Sequence, residues 1–219
     1  MPKEEISKII ELNEDLIKNN DELALQNSEH FKKYKIRCFE IVGAIGAGKT
    51  ALIEALVKKL SNELQILVIN GDVTTRVDAN RIEKHGVKTI QINTGTECAL
   101  NSYHISQVVK NYDMSKYNVI FIENVGNLIC PSDFILGAEK RICVVSITEG
   151  EWVIEKHPML FKMSDLAVIN KIDLLDVMVV NVDKMIDDAK GINPHVKIIK
   201  SSAVTGEGIP ELIETLFQK

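Results

Sequence analysis

Residues 43–50, GAIGAGKT, place Gly43, Gly46 and Gly48 ahead of Lys49 and Thr50 in the spacing G-x-x-x-x-G-K-[ST]. That spacing suits the cradling of a polyphosphate. Glycines permit positive φ and close backbone approach, so the N–H groups of Ala44, Ile45, Gly46 and Ala47 can wrap phosphate oxygens. Lys49 would bridge the terminal phosphates, and the Thr50 hydroxyl would bind Mg2+. An apolar run from Phe39 to Val42 precedes the loop, and a helical pattern from Ala51 to Lys59 follows it. The anion would therefore also meet a helix N-terminus. Magnesium sheds water reluctantly and needs carboxylates close by. Asp72, after LQILVING, and Glu123, closing NVIFIE, both stand where strands should end.

A second group reads a base. AVINKID supplies Asn170, Lys171 and Asp173 at another strand end. Guanine presents N1–H and a 2-amino group side by side, and one carboxylate accepts from both. Adenine would set a lone pair against Asp173, so the pocket selects guanine. The Lys171 stem can lie over the base with its ammonium in water, and Asn170 can tie this loop to the phosphate loop. SSAVTGEG then brings Ser202 and Ala203, whose backbone N–H can donate to the guanine carbonyl. The reaction these groups serve is GTP + water → GDP + phosphate, with Lys49, the loop amides and Mg2+ stabilising the transferring charge. Lys49, Thr50, Asp72 and Glu123 are the catalytic set. No glutamine stands where some GTPases orient water and no arginine finger is identifiable, so turnover should be slow.

Seven short apolar runs must position these groups: CFEIV, LQILVIN, VKTIQI, NVIFIE, RICVVSI, DLAVIN and VKIIKS. Helical periodicity fills 50–61, 75–84, 101–110, 181–190 and 208–218 between them. Buried β-branched strands alternating with helices predict an α/β P-loop fold, a mostly parallel sheet with helices on both faces. Residues 3–33 carry apolar positions spaced by threes and fours, an amphipathic helix that is continuous or broken and docks on the body or on a second subunit. The division is an N-terminal helical extension, 1–34, and a GTPase domain, 35–219.

Lysine and glutamate are scattered through a chain of net charge -5 with no basic block, which excludes nucleic acid and anionic membrane as electrostatic partners. No apolar run approaches the roughly 18 residues of a membrane helix. The start, MPKEEISKII, has no signal-peptide pattern, so cytoplasm is the expected compartment. There the four cysteines should be thiols. Cys38 and Cys143 sit in strand-type runs and read as core residues. Cys98 and Cys130 lie in loop-like sequence just beyond strands.

GAIGAGKT, the GD at 71–72, NTGTEC at 93–98, FIENVGNLICP at 121–131, TEG at 148–150, EKHP at 155–158 and INKIDL at 169–174 together resemble the hydrogenase maturation GTPase family HypB. The resemblance runs from about residue 35 to the C-terminus. It implies a nickel-insertion GTPase that forms a nucleotide-dependent homodimer and serves the hydrogenase large subunit with other maturation factors. Glu123 and Gly126 match the nucleotide-sensing switch. Cys130 lies at most about 25 Å of extended chain beyond Glu123, so a thiolate there would move with the switch. Cys98 and Cys130 are the candidate ligands for Ni2+ or Zn2+. Ala99 stands where the family usually has histidine, leaving one chain two sulfurs, too few for a closed site. A two-fold dimer would offer four, for tetrahedral Zn2+ or square-planar Ni2+. His104, six residues from Cys98 on a helix, reads as a surface residue, and His157 has no chemical role. The rival readings are a urease-type nickel GTPase, disfavoured by Ser132 where that family has histidine, a cobalamin-enzyme chaperone, and a regulatory GTP-binding module whose thiols only pack.

Overall fold

A computed structural model describes the backbone of residues 3–72, 77–95 and 97–218 and the side chains of 17–71, 78–95 and 97–218. All seven apolar runs form strands: β1 (Arg37–Val42), β2 (Ile66–Asp72), β3 (Lys88–Asn93), β4 (Val119–Glu123), β5 (Lys140–Ser146), β6 (Leu166–Asn170) and β7 (Lys197–Lys200). They make one sheet in the order β3-β2-β4-β1-β5-β6-β7. Every strand pair is parallel, so the sheet expected to be mostly parallel is wholly so among the described residues. The helices are α1 (Lys3–Lys33), α2 (Lys49–Leu60), α3 (Val77–Glu83), α4 (Ser102–Asn111), α5 (Val153–Lys156), α6 (Pro158–Lys162), α7 (Val182–Ile192) and α8 (Ile209–Phe217).

Strands buried on both faces carry apolar residues at nearly every position. On one face Phe39, Ile41, Phe121 and Val144 pack against Leu52 and Leu56 of α2 and Leu212 of α8. The Phe39 and Phe121 rings lie 5.8 Å apart, centroid to centroid, which adds about 0.5–1.5 kcal/mol to their burial. On the other face Leu67, Ile69 and Ile122 meet Leu100 and Ile105, while Val145 and Ala167 meet Phe161 and Met185. Cys38 and Cys143 are buried thiols, as expected of packing residues, and burial pushes both up in pKa.

The first helix is continuous and docks on the body. Two buried asparagines fasten it. Asn20 accepts from the Ser102 N–H at 2.9 Å and donates to the Ile135 carbonyl at 3.0 Å. Asn27 donates to the Ser102 and Leu136 carbonyls at 3.0 and 3.2 Å. Sequence periodicity marked this helix, but nothing in it marked these polar anchors.

Chain order reverses beside β1, with β4, β2 and β3 on one side and β5, β6 and β7 on the other. Doubly wound sheets take ligands in the crevice outside the carboxyl ends of the strands at such a point. The 43–50 loop leaves β1 there.

Candidate functional site

The loop passes directly into α2, whose first turn holds Lys49 and Thr50. Gly48 adopts φ 97, and a Cβ on it would lie 2.3 Å from Asn170 Nδ2. Only glycine fits. The reason for the crowding is useful: Asn170 Nδ2 donates to the Ala47 carbonyl at 3.0 Å, so the end of β6 is tied to the phosphate loop as the sequence suggested. Lys49 Nζ folds back on the loop and donates to the Gly43 and Ala44 carbonyls at 3.1 and 3.0 Å. Burial lowers its pKa, opposed by the Glu123, Glu149 and Asp78 carboxylates.

Thr50 Oγ1 donates to Glu123 Oε1 at 2.7 Å, which brings two of the expected magnesium residues into contact. Burial pushes the Glu123 carboxyl up to about 7, against the Thr50 hydrogen bond and the Lys49 charge. Its second oxygen, Oε2, is buried with no partner among the described residues. Such an orphaned oxygen needs water or an ion. A hydroxyl and a carboxylate whose second oxygen is unsatisfied are hard donors of the kind Mg2+ prefers, so the residues fit that ion. The Asp72 side chain lies outside the described residues; its backbone ends β2. The cavity here has a volume of about 390 Å3, and Lys49, Thr50, Glu123, Gly126, Asp78 and Arg81 line it. Sequence reading missed Asp78 and Arg81. Their place in the helical stretch that follows the GD pair was the signal that pointed to them.

Gly126 lies against the phosphate loop: a Cβ on it would come within 2.4 Å of Ile45 Cγ1 and 3.1 Å of the Ile45 nitrogen. Gly43 and Asn127 form an isolated antiparallel bridge between the same two loops. Asn124, next to Glu123, uses both its amide oxygen and its amide nitrogen. It donates to Glu40 Oε1 at 2.7 Å and accepts from the Leu100 N–H at 2.8 Å and the Val125 N–H at 2.9 Å. Glu40 is in turn paired with Arg141 at 2.9 Å inside the protein.

At the other end of the crevice Lys171 takes a left-handed turn at φ 63 and donates to Thr148 Oγ1 at 3.3 Å. Asn170 Oδ1 accepts from Ser201 Oγ at 3.2 Å, joining the ends of β6 and β7. Ser202 Oγ accepts from the Thr205 N–H at 3.1 Å, which shapes the turn that presents Ala203. The Asp173 carboxylate is exposed.

The cysteines require a correction. Four free thiols were expected, with Cys98 and Cys130 on one rim of the sheet and able to meet within a chain or across a dimer. Cys98 and Cys130 instead form a disulfide within the chain, with Cα atoms 6.1 Å apart and a sequence separation of 32. The topology explains the meeting: β3 and β4 flank β2, so the loops leaving them converge on one rim. Asn127 shapes the second loop by accepting from the Ile129 and Cys130 N–H groups at 2.8 and 3.3 Å. Cys98 is exposed, Cys130 half-buried and Ala99 buried. Among the described residues no group of three or more His, Cys, Asp or Glu side chains could hold a metal ion. His104 caps α4, its Nδ1 accepting from the Asn101 N–H at 3.2 Å. The structure therefore gives it a local duty, where the sequence reading had only a helix-surface residue. His157 Nδ1 lies 2.8 Å from the Val153 carbonyl.

Residues 38–200 match the family model described as CobW/HypB/UreG, nucleotide-binding domain. The probable hydrogenase maturation factor HypB of Methanocaldococcus jannaschii is 44% identical, the match covering 94% of this chain and 93% of that protein. The crystal structure of hydrogenase maturation factor HypB from Archaeoglobus fulgidus superposes with a TM-score of 0.85 at 43% identity, over 90% of this chain and 97% of that one. The structure of HypB from Helicobacter pylori in complex with nickel gives 0.84 at 30% identity, over 90% and 93%.

Proposed function

Because the chain belongs to the HypB group of the CobW/HypB/UreG nucleotide-binding family, we propose that it hydrolyses GTP and uses that step to time the delivery of nickel during hydrogenase maturation. One observation carries this reading. The loop leaving Glu123 rests on the phosphate loop through Gly126 and, four residues further on, carries Cys130 to Cys98.

Asp173 and the Ala203 N–H read guanine, and the amides of Gly43 to Lys49 hold the phosphates. Lys49 exchanges its two carbonyl partners for phosphate oxygens, and Thr50, Asp72 and Glu123 would hold Mg2+. That ion supplies positive charge to the phosphates. A third phosphate orders the loop at Gly126, and its loss lets the loop relax, as in other nucleotide switches. Turnover is slow, since the sequence has no glutamine at the place where some GTPases orient the attacking water.

Nickel is the cargo, and the reduced sulfur pair receives it. A thiol reductant, oxidised to its own disulfide, converts the Cys98–Cys130 bond to two thiols, whose protons leave as metal binds. Two copies related by a two-fold axis offer four thiolates, a set that suits square-planar Ni2+ or tetrahedral Zn2+. Ile45 at 85% and Ile129 at 66% exposure stand on this rim, apolar surface suited to a nucleotide-dependent homodimer. The partners are the hydrogenase large subunit and other maturation factors, in the cytoplasm. The nickel in the Helicobacter pylori relative supports the cargo.

Nickel titration of the purified protein tests this. With a thiol reductant and GTP, thiolate-to-nickel absorption should saturate at one ion per two chains. It should vanish in Cys98→Ala, in Cys130→Ala and in unreduced wild type. Unchanged absorption in either variant would remove the sulfur pair from the function and leave a regulatory GTP-binding module.

A further inference from the structure

A polar row crosses three neighbouring strands beneath the phosphate loop. Register sets Gln91 of β3 opposite Asn70 of β2, and Asn70 opposite Glu123 of β4. Residues facing each other in register lie on the same side of a parallel sheet, with strands about 4.8 Å apart. The two positions before Asn70 and Glu123 on this face, Val68 and Phe121, lie in the core under α2. Asn70 therefore interrupts an apolar face where that face reaches the cavity, and it lines the same cavity as Thr50 and Glu123.

Asn70 is only 3% exposed. Both of its amide atoms, Oδ1 and Nδ2, are buried without a partner among the described residues, and so is Glu123 Oε2 beside it. Buried amide groups are normally hydrogen-bonded, and leaving one unsatisfied costs about 1–3 kcal/mol. Three orphaned atoms on adjacent strand ends are a place built for ordered water. Water bound to a cation has its lone pair engaged and acts as donor, so it needs acceptors such as Asn70 Oδ1 and Glu123 Oε2. Mg2+ keeps several such waters when it binds beside phosphate.

Building on the GTPase reading, we infer that Asn70 is a positioning residue that holds water of the magnesium hydration shell and thereby sets the ion's affinity. Nδ2 is left to donate to a second water or to the Glu123 carboxylate. Asn70 belongs to neither the phosphate loop nor the base-reading segments, so the role is separable from nucleotide binding itself. Partners one shell beyond a metal's ligands typically set about 10–100-fold in its affinity.

The test uses the full chain loaded with GDP, with Mn2+ as the paramagnetic substitute for Mg2+. Manganese binding is followed by its electron paramagnetic resonance signal, and GDP affinity is measured separately in excess chelator. Asn70→Leu, similar in branching but without an acceptor, should weaken Mn2+ binding about 10-fold while GDP affinity in chelator stays at the wild-type value. Asn70→Asp, which keeps the acceptor, should retain tight Mn2+ binding. Wild-type Mn2+ affinity in a folded Asn70→Leu protein would overturn the inference, as would equal losses in Mn2+ and GDP binding. A wild-type protein that binds no GDP would instead sink the GTPase reading on which the inference rests.

Discussion

Asp173→Asn should lower affinity for GTP by about 100-fold and raise affinity for xanthosine triphosphate by a similar factor. Two hydrogen bonds to a charged acceptor contribute about 1.5–3 kcal/mol each, and the asparagine amide can accept only one of guanine's two donors. Its N–H2 instead faces the guanine 2-amino group, donor against donor. Xanthine carries an oxygen at that position and restores the match. The geometry around the position favours a clear result. Asp173 is exposed, so the substitution leaves the core alone, while Asn170 keeps the loop tied to Ala47. Competition between the two triphosphates for a fluorescent GDP analogue measures the change. An unaltered preference for GTP would show that the base lies elsewhere.

Lys49→Ala should reduce GTP hydrolysis by about 100–1000-fold, the usual loss when a donor aimed at developing charge is removed. The lysine is held ready: its ammonium sits on the Gly43 and Ala44 carbonyls, among the Glu123, Glu149 and Asp78 carboxylates that favour its charged form. The two carbonyls turn to water when it is gone, so the loop itself should survive. Single-turnover hydrolysis with the variant saturated by GTP separates a chemical defect from weak binding. A variant hydrolysing at the wild-type rate would rule out any contact between Lys49 and the transferring phosphate.

Much of this architecture can be read from residue order. Seven apolar runs become seven strands because a parallel sheet covered on both faces leaves few polar positions to blur them. The phosphate loop is legible because glycine at positive φ, the lysine and the hydroxyl must fall at fixed offsets. Asn170 is legible for a related reason, since the strand that carries it has to end beside the loop it braces. Contacts set by strand order are different. Nothing local tells that β3 and β4 flank β2, and that arrangement alone brings Cys98 to Cys130. Polar residues that serve burial are equally silent. Asn20 and Asn27 look like ordinary helix-surface residues until their partners are known. Asn70 looks like the frayed end of a strand, although a polar residue closing an apolar run just before Gly71 and Asp72 was a clue.

The anchoring of α1 has a consequence for how the sulfur-bearing rim keeps its shape. Asn20 grips Ser102, four residues beyond Cys98, and Ile135, five beyond Cys130; Asn27 repeats the grip at Ser102 and Leu136. The first helix is thus a splint laid across both arms of a pair of tongs. A chain trimmed to begin at Lys35 would lose all four bonds and let the jaws splay, even with every strand of the sheet intact.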